Sequence, residues 1–357
     1  MSTVDSRAYR CAVLMALIFL TNCASPAPAG KAIPTGKTIS IATPLGLPAV
    51  PIPADNPPTA ETVALGAELY FSRLLSVDDS ISCATCHDPK KAFTDNAPVS
   101  TGVRGQQGKR NAPTVLNAAY AKLQFWDGRA DTLEAQAAGP MTNPVEMGHS
   151  NEGAEKRLNE NPEMKRLFDK AYGRGPVTME KITKAIASFE RFLVSGNSPF
   201  DRFMYGEQRD ALSEPARRGL EVFRNPHKGN CVACHTIQDK QALFTDDKFH
   251  NLGVGMNAQG ELTDLGRFNE TRKEGDQGAF RTPTLRNIAR TAPYMHDGSQ
   301  KTLKDVVDFY VGGGNSNPYR DKEIKALEFL TKQERSDLVA FMESLNGEVI
   351  LPGGREQ

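Results

Sequence analysis

The pattern Cys-x-x-Cys-His occurs twice, as Cys83-Ala84-Thr85-Cys86-His87 and as Cys231-Val232-Ala233-Cys234-His235. Those four cysteines, with Cys11 and Cys23, are all that the chain contains. The spacing lets two thioethers grip the vinyl groups of a porphyrin while the adjacent His reaches the iron. For a single motif, a redox dithiol or a Cys/His zinc site is the alternative. Two copies, each with its His and with no other cysteine beyond the N-terminal segment, favour two covalently bound haem c groups.

The N-terminus reads as an export signal, a context in which paired cysteines would ordinarily suggest a disulfide. Arg7 and Arg10 precede an apolar run over residues 11–20, which is half the ~20 residues of a membrane span. Two cleavage readings stand. Leu20-Thr21-Asn22-Cys23 resembles a lipobox that would put a lipid anchor on Cys23, although Asn22 stands where a small residue is expected. Ala27-Pro28-Ala29 is an A-x-A site for a soluble product. Residues 1–29 are therefore read as a signal peptide, with a lipoprotein signal or an uncleaved anchor as the alternatives; the periplasm is the expected location, and no further transmembrane span is expected. With 43 basic and 43 acidic residues the chain has no overall attraction to nucleic acid.

Residues 26–58 hold nine prolines and read as an extended tether, so structure is expected from Thr59. A helix is expected over 59–75, with Leu65, Leu69 and Leu75 on its apolar side. Another is expected over 178–194, with Ile182, Ile186, Phe189 and Leu193 at helical spacing. Ser213 with Pro215 opens a further helix, and Thr331 with Glu334 caps the last one, which Gly347 would end. Alternating strand patterns are scarce.

The chain also repeats itself. The haem motif recurs after 148 residues, and Phe93-Thr94-Asp95 recurs after 151 as Phe244-Thr245-Asp246. Pro113-Thr114, Asn117, Asp127-Gly128 and Thr132-Leu133 all recur after 170. The second copy has gained residues in the Gly-rich stretch 248–279. The fold class expected is therefore all-α: two tandem class-c cytochrome-like domains with long haem-wrapping loops. They divide as 1–29 signal, 30–58 tether, 59–200 first haem domain and 201–350 second haem domain. The copies differ at Trp126, matched by His296, and at Tyr310, matched by Pro140. This asymmetry implies divided labour.

Phe125-Trp126-Asp127-Gly128-Arg129, Asn143-Pro144-Val145-Glu146-Met147-Gly148 and Ala292-Pro293-Tyr294-Met295-His296-Asp297-Gly298 lie in order around the two haem motifs. Together they resemble the bacterial dihaem cytochrome c peroxidase and MauG superfamily over about residues 57–347. The resemblance implies that the haem on Cys83, Cys86 and His87 reacts with hydrogen peroxide, and that the one on Cys231, Cys234 and His235 transfers electrons. It implies that Trp126 lies between the haems, and that Gln136 and Glu146 are the distal residues of the peroxide site. A carboxylate there can move a proton from the near to the far peroxide oxygen. It further implies one calcium ion on the Asn111 side chain and the Thr291 and Pro293 carbonyls, oxygen ligands that suit this ion. Without the resemblance, Trp126 reads as a core anchor, Glu146 and Gln136 as surface residues, and Asn111 as a turn former.

Two departures from the peroxidases stand out. Many of them hold a blocking His in the loop after the first motif, but no His lies between residues 88 and 148, and Val103 stands at the expected position. His149, the nearest substitute, reads as a surface residue. The first iron is therefore expected to be open at rest. Classical members also ligate the second iron with a Met on the helix after His-Asp-Gly. Here no Met lies between 296 and 341, and Tyr310 is where MauG-type proteins place a tyrosine ligand. Tyr310 otherwise reads as a core aromatic, with Met256 and Met295 as substitute ligands. The partner is either a protein substrate, oxidised through high-valent equivalents shared by both haems, or a small periplasmic electron donor. A non-catalytic electron-transfer cytochrome is the remaining alternative.

Overall fold

The computed structural model describes residues 32–350, so the signal segment and Cys23 lie outside the described residues. The first half carries α1 (Ala60–Phe71), α2 (Cys83–Cys86), α3 (Leu133–Thr142), α4 (Asn151–Glu160), α5 (Pro162–Tyr172) and α6 (Met179–Glu190). The second carries α7 (Pro199–Tyr205), α8 (Glu214–Arg224), α9 (Phe268–Thr271), α10 (Leu303–Val311) and α11 (Lys332–Glu343). Strand β1 (Val194–Gly196) pairs antiparallel with β4 (Glu348–Ile350), and β2 (Phe249–His250) with β3 (Phe280–Arg281). The fold is thus mostly helical rather than wholly so.

Helix starts follow from their caps. Thr59, Thr178, Ser213 and Thr331 each accept a hydrogen bond from a backbone N–H of the first turn. Helix ends are set by packing and differ from expectation. The first helix stops at Phe71, because extended Ser72 caps a new turn over Arg73–Leu75 that still buries Leu75. The helix expected over 178–194 stops at Glu190, and Val194 enters β1 instead. The last helix closes at Ser344. Gly347 instead donates its N–H to Asn287 Oδ1, where a Cβ would stand 2.5 Å from the Gly196 carbonyl.

The internal repeat persists in the packing. α1 crosses α6 at Gly66, where an added Cβ would lie 1.9 Å from the Ala185 carbonyl oxygen. α8 crosses α11 at Gly219, where it would lie 2.0 Å from that of Asp337. One core gathers Leu65, Leu69, Phe168 and Ile182; the other gathers Phe200, Phe223, Phe244 and Phe341. The two equivalent asparagines, Asn117 and Asn287, grip Ser195 of β1 through its backbone and its hydroxyl.

The tether expected over residues 30–58 is corrected from Ala32 onward: it is a packed strap. Ala32, Leu47, Val50 and Asn56 are buried. Lys184 Nζ donates to the Ala32 carbonyl at 2.9 Å, Asn56 Nδ2 donates to Glu134 at 2.7 Å, and Arg286 Nη2 donates to the Gly46 carbonyl at 2.7 Å. Proline-rich extended chain has no internal hydrogen bonds, so its carbonyls are free to accept such donors.

Candidate haem sites

Each haem motif follows a helix that presents its cysteines on a short turn. Cys83–Cys86 is one helical turn, and Cys231–Ala233 is a tighter one entered through left-handed Asn230. His87 and His235 are then held alike. His87 Nδ1 faces the Phe93 carbonyl at 3.2 Å, and His235 Nδ1 faces that of Phe244 at 2.9 Å. Both phenylalanines have positive φ, 60° and 53°, which turns their carbonyls onto the rings. This explains the repeated Phe-Thr-Asp: it fixes each tautomer and leaves Nε2 for iron. Burial lowers the pKa of both imidazoles and so favours the neutral form that metal binding needs. The donor set fits two haem c groups.

Beside His87 opens a cavity of about 1150 Å³, lined by Trp126, Gln136 and Glu146 from the first half and by Asp264 and Arg281 from the second. Burial pushes the Glu146 carboxyl up, while Arg129 and a 2.8 Å hydrogen bond from Asn143 Nδ2 pull it back. The Glu146 carbonyl accepts the Val103 N–H at 2.8 Å. Val103 itself is fully buried in the core, and the cavity wall at this loop is Gly102. A Cβ on Gly102 would stand 2.0 Å from the Val145 carbonyl oxygen. Among the described residues lining the cavity, His87 is the only histidine. His149 lies in a separate pocket with Lys156 and Arg157.

Trp126 stands where the halves meet. Its Nε1 donates to the Asn111 carbonyl at 2.9 Å, and its own carbonyl accepts the Arg281 N–H at 2.8 Å. The Asn111 N–H donates to the His296 carbonyl at 2.7 Å. Asn111 uses Nδ2 on the Ala97 carbonyl, which leaves Oδ1 as an acceptor. Asn96, which the sequence reading passed over, donates to the Arg290 and Ala292 carbonyls and so orients the loop of Thr291 and Pro293.

Tyr310 lies on α10 and half-buried. Burial first, and then Cys231 and Cys234, push its phenol pKa up, so it stands near the second haem motif. His250, another residue the sequence reading missed, lies between Asp246 and Asp321 and beside Cys234. A thioether sulfur carries no charge, so with haem attached Cys234 is no ligand for a further ion there. Glu190 and Arg129 line the first cavity without having been singled out. Arg129 lay in plain view inside the Trp-Asp-Gly-Arg run, whereas Glu190 was hidden in an apolar helix face.

The fold and sites define a tandem dihaem c-type cytochrome with a cavity large enough for a haem beside Cys83, Cys86 and His87. A family model for the di-haem cytochrome c peroxidase matches residues 60–209, and one for cytochrome c matches 216–346. The chain is 39% identical to the methylamine utilization protein MauG of Methylophilus methylotrophus, over 84% of this chain and 86% of that one. It is 37% identical to the cytochrome c551 peroxidase of Nitrosomonas europaea, over 84% of each. A solved MauG-like protein associated with microbial copper homeostasis superposes with a TM-score of 0.77 at 32% identity, over 86% of this chain and 95% of that one. The chain belongs to the dihaem cytochrome c peroxidase family. It is a hydrogen peroxide-dependent oxidoreductase with two haem c groups. No helix among the described residues is long and apolar enough to cross a membrane.

Proposed function

We propose that this peroxidase is MauG-like: it works in the periplasm and uses peroxide to oxidise a partner protein. Residues 59–200 carry the peroxide-reacting haem, held by Cys83, Cys86 and His87, and residues 201–350 the electron-transfer haem, held by Cys231, Cys234, His235 and Tyr310. The bound irons supply the redox chemistry. Glu146 accepts and returns the peroxide proton, Gln136 orients the peroxide, and Trp126 relays charge between the halves. Asn111 Oδ1 with the Thr291 and Pro293 carbonyls holds one calcium ion at that junction.

The observation that carries this reading is Tyr310 beside Cys231 and Cys234 on a helix that has no methionine. A phenolate ligand favours ferric and higher states over ferrous, so Tyr310 would suit a haem that stores oxidising equivalents rather than one kept reduced. Val103 in the core supports it too, because no imidazole needs to be displaced by prior reduction. The test adds stoichiometric hydrogen peroxide to the fully ferric, haem-loaded protein. The wild type should give a long-lived spectral change at both haems, and Tyr310→Met should lose it while keeping both haems. A wild type that must first be reduced, or a variant that responds identically, would establish the classical peroxidase fed by a small cytochrome or cupredoxin.

A further inference from the structure

Arg129 is fixed from two sides at the wall of the first cavity. Its Nη1 donates to both carboxylate oxygens of Asp127 at 3.0 Å, and its guanidinium lies 3.4 Å from the centroid of the Phe125 ring. Phe125 rests in turn on α3, where a Cβ at Gly139 would come within 3.1 Å of Cζ. Asp127 is 4% exposed and is also bound by Arg110 Nη1 at 2.5 Å. The bonds to Asp127 use only Nη1, so Nη2 and Nε remain as donors on a cavity wall shared with Gln136 and Glu146.

We propose that Arg129 is a further catalytic residue, whose guanidinium binds the anionic oxygen that develops on peroxide when Glu146 takes its proton. The proposal rests on Glu146 being the acid–base group of this site. Hydrogen peroxide gives a proton to Glu146, and the hydroperoxide left behind bears one negative charge. The O–O bond then breaks with both of its electrons going to the far oxygen, which leaves as hydroxide and takes the Glu146 proton back as water. The two electrons that the near oxygen lacks come from the haem groups, as in the family's reaction. A fixed cation opposite this developing charge stabilises it without reorganisation. Arg129 is also the foremost influence drawing the Glu146 pKa down against burial. The other titratable group facing Glu146 is Cys86, a neutral thiol that haem attachment converts to an equally neutral thioether.

The test uses haem-loaded wild type, Arg129→Gln, Arg129→Lys and Glu146→Gln. Replacing Arg129 leaves Asp127 paired with Arg110, so the fold has no new unpaired charge. Arg129→Gln should weaken fluoride and azide binding to the ferric first haem about tenfold, a typical loss for one charge-assisted hydrogen bond. Carbon monoxide, a neutral ligand of the reduced haem, should bind as before, and Arg129→Lys should fall between. The acid limb of the peroxide reaction should move up by about one pH unit in Arg129→Gln, since an opposite charge nearby lowers a carboxyl pKa. Equal losses of anion and carbon monoxide affinity would reduce Arg129 to a structural residue, and unchanged anion affinity would overturn the proposal. An acid limb that survives in Glu146→Gln would instead refute the assignment of Glu146, with the anion contrast still judging Arg129.

Discussion

Glu190 lines the first cavity at 5% exposure, and its Oε2 has no partner among the described residues. Burial pushes its carboxyl up to about 8; Arg191 opposes this and Glu134 adds to it. The folded value therefore lies above the ~4.3 of an unfolded glutamate. Stability from the neutral form is full below that unfolded value and is lost as pH rises through about 8. Glu190→Gln should flatten this loss and leave the protein more stable than wild type at pH 9, by about 1–3 kcal/mol, the usual cost of one buried unsatisfied group. Melting temperature against pH would decide, and parallel curves for the two proteins would refute it. Periodicity over Ile182, Ile186 and Phe189 could not reveal this group, because the end of α6 is buried on every side and the apolar stripe has no edge there.

Among the elements, the two glycine-centred crossings bear most of the geometry. Gly66 lets α1 approach the α6 backbone closely, and α2 with its haem cysteines is the next α-helix, beyond the turn at Arg73–Leu75. Gly66→Ala forces a methyl into the Ala185 carbonyl and the Phe189 Cβ, so the helices must separate. Overpacking of this kind costs about 1–3 kcal/mol. Denaturant melts should show that loss, and Gly219→Ala should show a similar one in the second half. No change at either site would mean that the crossings can open freely. The caps Ser213 and Thr331 were legible because each is a local hydrogen bond between near neighbours in sequence, whereas Thr59 and Thr178 were only the starts of apolar periodicities and show themselves as caps in the structure. The ends at Phe71 and Glu190 were not legible: Ser72 turns extended and caps a new turn at Arg73–Leu75, and beyond Glu190 the chain is drawn into β1, which pairs with the distant β4.

For the whole molecule, Arg286 joins three distant segments. Its guanidinium pairs with both oxygens of Asp201 at 2.9 Å and also donates to the Gly46 and Ala242 carbonyls. Both charged groups are almost wholly buried. Arg286→Met strands the Asp201 carboxylate with only Ser198 as a partner, and it should destabilise the protein by about 3–5 kcal/mol. If Asp201→Asn combined with Arg286→Met restores most of that stability, the stranded charge was the cause. If it does not, the lost bonds to the Gly46 and Ala242 carbonyls were.

The sequence alone determined what is covalent and what is repeated. Two Cys-x-x-Cys-His motifs need no distant partner to specify haem attachment, and four matched segments at one offset need no coordinates to specify a duplication. Tertiary structure decided the rest, because it depends on which distant segments share space. It buried Val103, turned the proline-rich strap into a bridge across both halves, and brought the second half's insertion onto the first half's site. There Asp264 binds Arg110, and Arg267 holds the Asp127 and Gly128 carbonyls. Arg110 and Asp264, 154 residues apart in sequence, meet at the wall of the first cavity, and only the folded chain brings them there.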